Sequence, residues 1–300
     1  MVSPYFAYLA LAAAAQLLEA AGVDSPATDA RLLLAHVLRL PLTRLDLSLD
    51  SPLDAEAASR YQALVSERAT RHPLAYLTGE TEFMGLTFRC DERALIPRPD
   101  TEALVEAVVG AHRRSGFQPD NAVPHTPCLL DLGTGAGCIG LSLAVLLPEA
   151  HVVLTDISGD ALALARENAE VLGVADRTRL LEGPDLEPVL AAGLAEDITC
   201  VVSNPPYIAP GDVPALPPEV ADHEPRAAWL GEGEAGLGVY ERLIPQCAEW
   251  LPNVRLAAFE VGLGQAAAVH DLCRRAWPAF DVRLVKDLSG IDRVLIAQPR

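Results

Sequence analysis

Three short stretches of this 300-residue chain combine residue types that could do chemistry. In "VVSNPPYIAP", residues 201–210, an apolar run ends on an asparagine, two prolines and a tyrosine. Asn204 offers a side-chain carbonyl oxygen and Pro205 a main-chain one. Pro205 and Pro206 hold φ at about −65°, so the main-chain acceptor is fixed with little freedom left to lose. Tyr207 offers a flat face to a planar group. Such a set suits an amide or exocyclic amino nitrogen. Two acceptors, each taking one N–H, weaken the delocalisation of its lone pair and aim it at an electrophilic carbon. No strong base is required, because the nitrogen becomes acidic once alkylated. Orientation and fixed dipoles of this kind contribute up to roughly 7–11 kcal/mol in favourable cases. The rival reading of the tetrapeptide, taken alone, is a rigid turn with a satisfied asparagine.

The second stretch, "LLDLGTGAGCIGLSLA" (129–144), has the pattern strand, tight glycine turn, helix. Gly133, Gly135 and Gly137 allow positive φ and a close backbone approach to a ligand, and a helix start presents free N–H groups. The third, "VVLTDI", puts Asp156 at the end of the next strand, where a carboxylate can accept from both hydroxyls of a ribose. A structural turn is the rival reading of the glycines, and NAD is a rival ligand. The spacing G-x-G-x-G followed by Cys138, Ile139 and Gly140 departs from the dinucleotide pattern G-x-G-x-x-G. Asp131, just before the glycines, suits a ligand carrying an ammonium group, which S-adenosylmethionine has and NAD lacks.

The elements that must position these residues follow from periodicity. Strand patterns at "CLLDLG", "HVVLTDI", "TRLLEG", "ITCVVSN", "RLAAFEV", "DVRLVKD" and "RVLIAQ" alternate with helical ones. They imply an α/β, doubly wound, seven-stranded, mostly parallel sheet covered on both faces. The last two strands are joined only by "LSGI", so that pair is expected to be antiparallel. In such sheets ligands bind beyond the carboxyl ends of the strands, where Asp156 and Asn204 fall. Residues 1–72 are helical by pattern and predict a small three-helix bundle. Ser25 is expected to cap the second helix ahead of Pro26, and Ser51-Pro52 to repeat that start for the third. Leu32, Leu33, His36, Val37 and Leu40 are expected to form one face of the second helix. "ETEFMGLTFRC" around Gly85 predicts a hairpin. A helix is expected from about Pro99, with Asp100 and Glu102 in its first turn, and a loop over 115–127. The expected domains are 1–79 (helical, docking the substrate), 80–98 (hairpin linker) and 99–300 (catalytic).

Composition narrows the partners. The formal charge is −18 and Lys286 is the only lysine. Such a surface repels phosphate backbones, which argues against direct nucleic-acid binding. The six cysteines form no C-x-x-C pair and read as buried small hydrophobes in a reducing compartment; no metal is expected. "YFAYLALAAAAQLL" (5–18) is apolar, but no Lys or Arg precedes Arg31, and the run is too short to span a bilayer. A cytoplasmic monomer without a membrane anchor is expected.

"NPPY" after "DLGTGAG" resembles the class I methyltransferases that use S-adenosyl-L-methionine and act on planar nitrogens. More narrowly, the chain is similar to the release-factor glutamine methyltransferase family (HemK/PrmC type). "RHPLAYLTGETEFMGLTF" (71–88), "LIPRPDTEALVE" (95–106), "HEPRAAWLGEGEAGLGVYERLI" (223–244), "FEVGLGQ" (259–265) and "VKDLSGIDRVLIA" (285–297) extend that likeness over nearly the whole chain. The resemblance implies methylation of the glutamine amide nitrogen in the Gly-Gly-Gln tip of class I release factors, modulating translation termination. It implies that Gly133, Thr134, Gly135, Ala136, Gly137 and Asp156 hold S-adenosyl-L-methionine, with Asn204 beside it. Asn204, Pro205, Pro206 and Tyr207 would hold the glutamine, Asn204 and Pro205 being catalytic. One departure stands out. Relatives place an acid directly after the third strand's glycine, as in "GDLF"; here "EGPDLEPVL" has Pro184 in that slot and Asp185 in the next. The adenine-side contact then falls to Asp185, with the loop shifted by one residue, or to main-chain atoms of the same turn. Three rivals remain. A ribosomal-protein glutamine methyltransferase shares the clamp but carries an "IPRSP"-like motif where this chain has "IPRPDTE". A nucleic-acid adenine methyltransferase needs a basic groove. A cofactor-binding module without activity would not need an intact Asn204.

Overall fold

A computed structural model describes residues 6–115, 127–287 and 289–300. Most of the loop expected over 115–127 lies outside the described residues. The chain separates into two compact units: Met1–Glu80 with Pro217–His223, and Thr81–Leu216 with Glu224–Arg300. No helix among the described residues is long and apolar enough to cross a membrane.

The first unit is helical. Helices Ala7–Ala20, Pro26–Leu38 and Ala55–Arg68 enclose Leu18, Leu33, Leu34, Tyr61 and Val65. The buried face of the second helix is centred on Leu33, Leu34 and Val37, while Leu32, His36 and Leu40 are only half-buried. The short helices Leu42–Leu45 and Leu74–Thr78 complete the bundle. Pro26 opens its helix as expected, but Ser25 makes no side-chain cap. The third helix starts later than Ser51-Pro52 predicts. Asp54 caps it, accepting the Ala57 N–H at 2.7 Å, and a carboxylate there complements the helix dipole. Arg68 is buried, with its guanidinium shared between Asp29 at 2.8 Å and Glu219 at 2.9 Å. Arg71 also grips Glu219, at 2.7 and 2.6 Å. A distant segment, Pro217–His223, thus supplies an acid to the bundle. Removing one partner would leave a buried charge uncompensated.

The second unit, from Thr81, opens within the hairpin β1 (Glu80–Phe83) and β2 (Leu86–Arg89). Met84 and Gly85 both have positive φ, as the tight hairpin turn requires. The main sheet is β3 (Cys128–Leu132), β4 (His151–Asp156), β5 (Thr178–Glu182), β6 (Cys200–Ser203), β7 (Leu256–Glu260), β8 (Phe280–Lys286) and β9 (Asp292–Pro299). Its order is β5-β4-β3-β6-β7-β9-β8. The pairs from β5 across to β7 are parallel, and β9 runs antiparallel to both β7 and β8. Successive side chains point to opposite faces, and the core divides accordingly. Leu129, Val152, Leu154, Cys200 and Val202 pack on one side; Leu130, Val153, Val201 and Phe259 pack on the other. Burial of each such side chain contributes about 1.5–3 kcal/mol.

That order sets the site. After β3 the chain turns to β4 on one flank, while β6 pairs on the other. Leu132 stands opposite both Thr155 and Ser203. The glycine turn, Asp156 and Asn204 therefore leave the sheet side by side at its carboxyl edge, at a switch point where a crevice opens.

Candidate active site

The glycine turn is pinned by its own neighbourhood. The N–H groups of Gly133 and Thr134 both donate to the Thr155 carbonyl at 2.9 Å. Asp131 lies fully buried below, its Oδ2 accepting the Thr134 hydroxyl at 2.6 Å and the Gly140 N–H at 2.9 Å. Its Oδ1 has no partner, and burial pushes its pKa up to about 6. Asp131 thus organises the turn from beneath and does not line the cavity. Asp156 accepts the Gly135 N–H at 2.8 Å and the Ser158 N–H at 2.9 Å, and burial raises its pKa. Asn168, fully buried, donates to the Ala136 carbonyl at 2.9 Å and also engages the Arg89 backbone.

A cavity of about 580 Å³ opens above this edge. Gly133, Thr134, Gly135 and Ala136 form one wall with Asp156; Asn204, Pro205 and Pro206 form another. Gly135 has φ +56°, and a Cβ there would approach Ala94, itself on the wall, to 3.8 Å. Pro184 and Asp185 border the same space. The Asp185 backbone is left-handed at φ +50°. Its carboxylate is held by Arg242 Nε at 2.6 Å, and Arg242 also pairs with Glu232. Asp185 thus borders the cavity with its carboxylate already engaged.

Two expected contact residues lie off the cavity wall. Gly137 donates its N–H to the Thr134 carbonyl at 2.9 Å and starts the helix Cys138–Leu146. A Cβ on it would meet Leu141 Cδ1 at 2.7 Å, so this glycine serves packing. Tyr207 turns its hydroxyl to Glu260 Oε1 at 3.2 Å, and its ring packs against the core below. Its carbonyl accepts Gln265 Nε2 at 2.9 Å, and the same amide donates to the Ala235 carbonyl at 2.8 Å. Tyr207 fixes the loop from inside and is half-buried.

Sequence reasoning missed Thr101, Glu260 and Gln265. Thr101 is 2% exposed yet lines the cavity, and its Oγ1 accepts the Asn204 Nδ2–H at 3.2 Å. Glu260 is buried at the end of β7, and burial raises its pKa. Of "IPRPDTE", Ile96, Pro97, Arg98 and Thr101 line the cavity, and the charged residues also make contacts within the unit. Arg98 pairs with the buried Glu224, Asp100 with Arg293 at 3.0 Å, and Glu102 accepts the Met84 N–H at 2.6 Å. The position of Thr101 inside the quoted "IPRPDTE" is the one signal the sequence holds for it.

A parallel sheet with an antiparallel last strand pair, a glycine turn at the switch point and an asparagine at the next strand end define a methyltransferase. The hMettl16 catalytic domain, solved with a MAT2A 3′UTR hairpin, shares this fold at TM-score 0.56 and 18% identity, covering 82% of this chain and 80% of that one. The PrmC N-terminal domain family matches residues 10–79, and the methyltransferase small domain family matches 120–215. The release factor glutamine methyltransferase of Moorella thermoacetica is 41% identical over 97% of this chain and 98% of its own. That of Cereibacter sphaeroides is 42% identical over 96% of this chain and 97% of its own. The chain belongs to the release factor glutamine methyltransferase family.

Proposed function

We propose that the chain transfers a methyl group from S-adenosyl-L-methionine to the side-chain amide nitrogen of the glutamine in the Gly-Gly-Gln segment of class I release factors. The observation that carries this reading is one cavity bounded by the glycine turn with Asp156 on one side and by Asn204-Pro205-Pro206 on the other. Its volume lies within the range of small-molecule sites. The chemistry of its walls suits the cofactor. The Asp156 carboxylate accepts the Gly135 and Ser158 N–H groups, one on each oxygen, and has further lone-pair capacity for a ribose hydroxyl. Gly133 and Gly135 bring main chain to the wall where a side chain would intrude.

When bound, S-adenosyl-L-methionine supplies an electrophilic methyl group on a sulfonium. The protein's part is to hold the nucleophile. Asn204 Oδ1 and the Pro205 carbonyl accept the two N–H bonds of the glutamine amide and orient its lone pair. Pro205 and Pro206 keep that carbonyl in place before substrate arrives, so little reorganisation accompanies the reaction. The Asp185 carboxylate is neutralised by Arg242, which leaves the main chain of 183–185 as the adenine-side surface. We extend the proposal to the chain's division of labour. The helical unit docks the release factor, the second unit carries the chemistry, and the enzyme works as a cytoplasmic monomer on protein and not on nucleic acid.

The test is a labelling experiment. Purified protein with methyl-labelled cofactor should modify a release factor at one glutamine and leave duplex DNA and ribosomal proteins unlabelled. Label on the ribosomal protein would transfer the assignment to the sibling activity, and label on DNA would move it to nucleic acid.

A further inference from the structure

We infer that Thr101 is a positioning residue of the clamp: its hydroxyl accepts the Asn204 Nδ2–H and so leaves the Asn204 carbonyl oxygen turned to the cavity. The inference rests on the clamp reading proposed above and names what orients its side-chain acceptor. An asparagine amide can present either end, and only one works here. The oxygen accepts an N–H from the substrate amide, whereas the NH2 group would repel it.

What sets the direction is the order of donors and acceptors behind Asn204. Thr101 Oγ1 lies 3.2 Å from Asn204 Nδ2. Both residues border the cavity, and Thr101 is 2% exposed. The Thr101 hydroxyl faces Glu260, whose charged form it favours. Glu260 is 1% exposed; its Oε1 accepts the Tyr207 hydroxyl at 3.2 Å and its Oε2 makes no hydrogen bond. A carboxyl group keeps an accepting oxygen in either protonation state, so a Thr101 hydroxyl turned to Glu260 leaves its lone pair for the Asn204 Nδ2–H. Asn204 must then offer its NH2 inward and its oxygen outward. A chain of this kind transmits direction, as networks in a low-dielectric interior do. Thr101 comes from the turn Pro99–Thr101 and Glu260 from β7, so the orienting groups reach the clamp from two other parts of the unit.

The test combines Thr101 variants with Asn204→Ala, reading kcat, the KM for release factor, cofactor affinity by calorimetry and thermal midpoint. Thr101→Val keeps the shape and removes the hydroxyl. It should lower kcat about tenfold, the scale of one net hydrogen bond, with cofactor affinity and thermal midpoint held. Thr101→Ser should restore most of that loss. In the Asn204→Ala background, Thr101→Val should cost nothing further, because there is no amide left to orient. Thr101→Ala replaces Thr101→Val if the valine variant does not fold. An unchanged kcat in Thr101→Val beside a crippled Asn204→Ala overturns the role of Thr101 alone. An equal loss from Thr101→Val in both backgrounds overturns it as well, in favour of a structural role. A near-normal rate in Asn204→Ala itself removes the clamp reading and this inference together.

Discussion

The glycine turn and the Asn204 loop leave adjacent strands of one sheet and face the same cavity, yet they are immobilised in opposite ways. The turn is held by near neighbours. Asp131 reaches Thr134 and Gly140 within nine residues, and the next strand supplies Thr155 and Asp156. The Asn204 loop is held by residues remote in the chain: Thr101 lies 103 residues away, Glu260 is 53 from Tyr207, and Gln265 is 58 from it. A locally braced element keeps its shape as long as its own segment folds. A remotely braced one needs the assembled unit, and its acceptors can be displaced by a change the substrate never touches.

Four experiments break or sharpen that contrast, in order of expected effect. Asn204→Ala should cut kcat at least ~10²-fold while cofactor affinity stays largely intact, the scale for losing a preorganised polar contact. Calorimetry beside single-turnover kinetics checks the separation, and a near-normal rate would contradict the clamp. Gly236→Ala acts on the clamp from off the cavity wall. A Cβ at this positive-φ position would lie 2.2 Å from the Tyr207 carbonyl oxygen, so the loop must move. The expected outcome is a kcat loss on the order of 10-fold or more, as small misplacements give, with unchanged cofactor binding.

The other two address the turn. Asp131 has a folded-state pKa near 6 against an ordinary 3.8, so the folded protein binds that proton more tightly than the unfolded chain. Its linkage term makes stability fall as pH rises from about 4 to about 6 and stay level above. Asp131→Asn should abolish that slope, read as the difference in urea midpoint between wild type and variant across this range. An unaltered slope would show that Asp131 keeps its proton equilibrium on folding. Gly137→Ala should have the smallest effect, a stability loss of about 1–2 kcal/mol from its left-handed backbone. Thermal melts measure it, and cofactor affinity should change little because Gly137 is off the wall.

The same contrast explains what could be read before the structure. Alternating strands and helices announced the sheet, because period and burial are written locally in residues such as Leu129–Leu132. The glycine turn and Asp156 were legible for the same reason, each motif being one strand end and its turn. Side-chain direction was not. Nothing within "NPPY" says that the Tyr207 hydroxyl turns to Glu260, or within "GTGAG" that Gly137 makes room for Leu141. Thr101, Glu260 and Gln265 escaped because their meaning depends on pairings across the sheet. In the helical unit, Asp54 and not a serine caps the third helix, since the carboxylate reaches the free N–H group. Arg68 is buried there because its acid partners arrive from elsewhere in the chain.

That last feature bears on how the protein is made. Glu219 follows Arg71 by 148 residues, and a ribosome needs roughly 7 to 30 s to add that many. The nascent bundle must therefore wait, with two guanidinium groups lacking this carboxylate, until the polypeptide beyond the clamp has emerged. The helical unit is synthesised ahead of the clamp, and the acid that completes it follows behind the clamp.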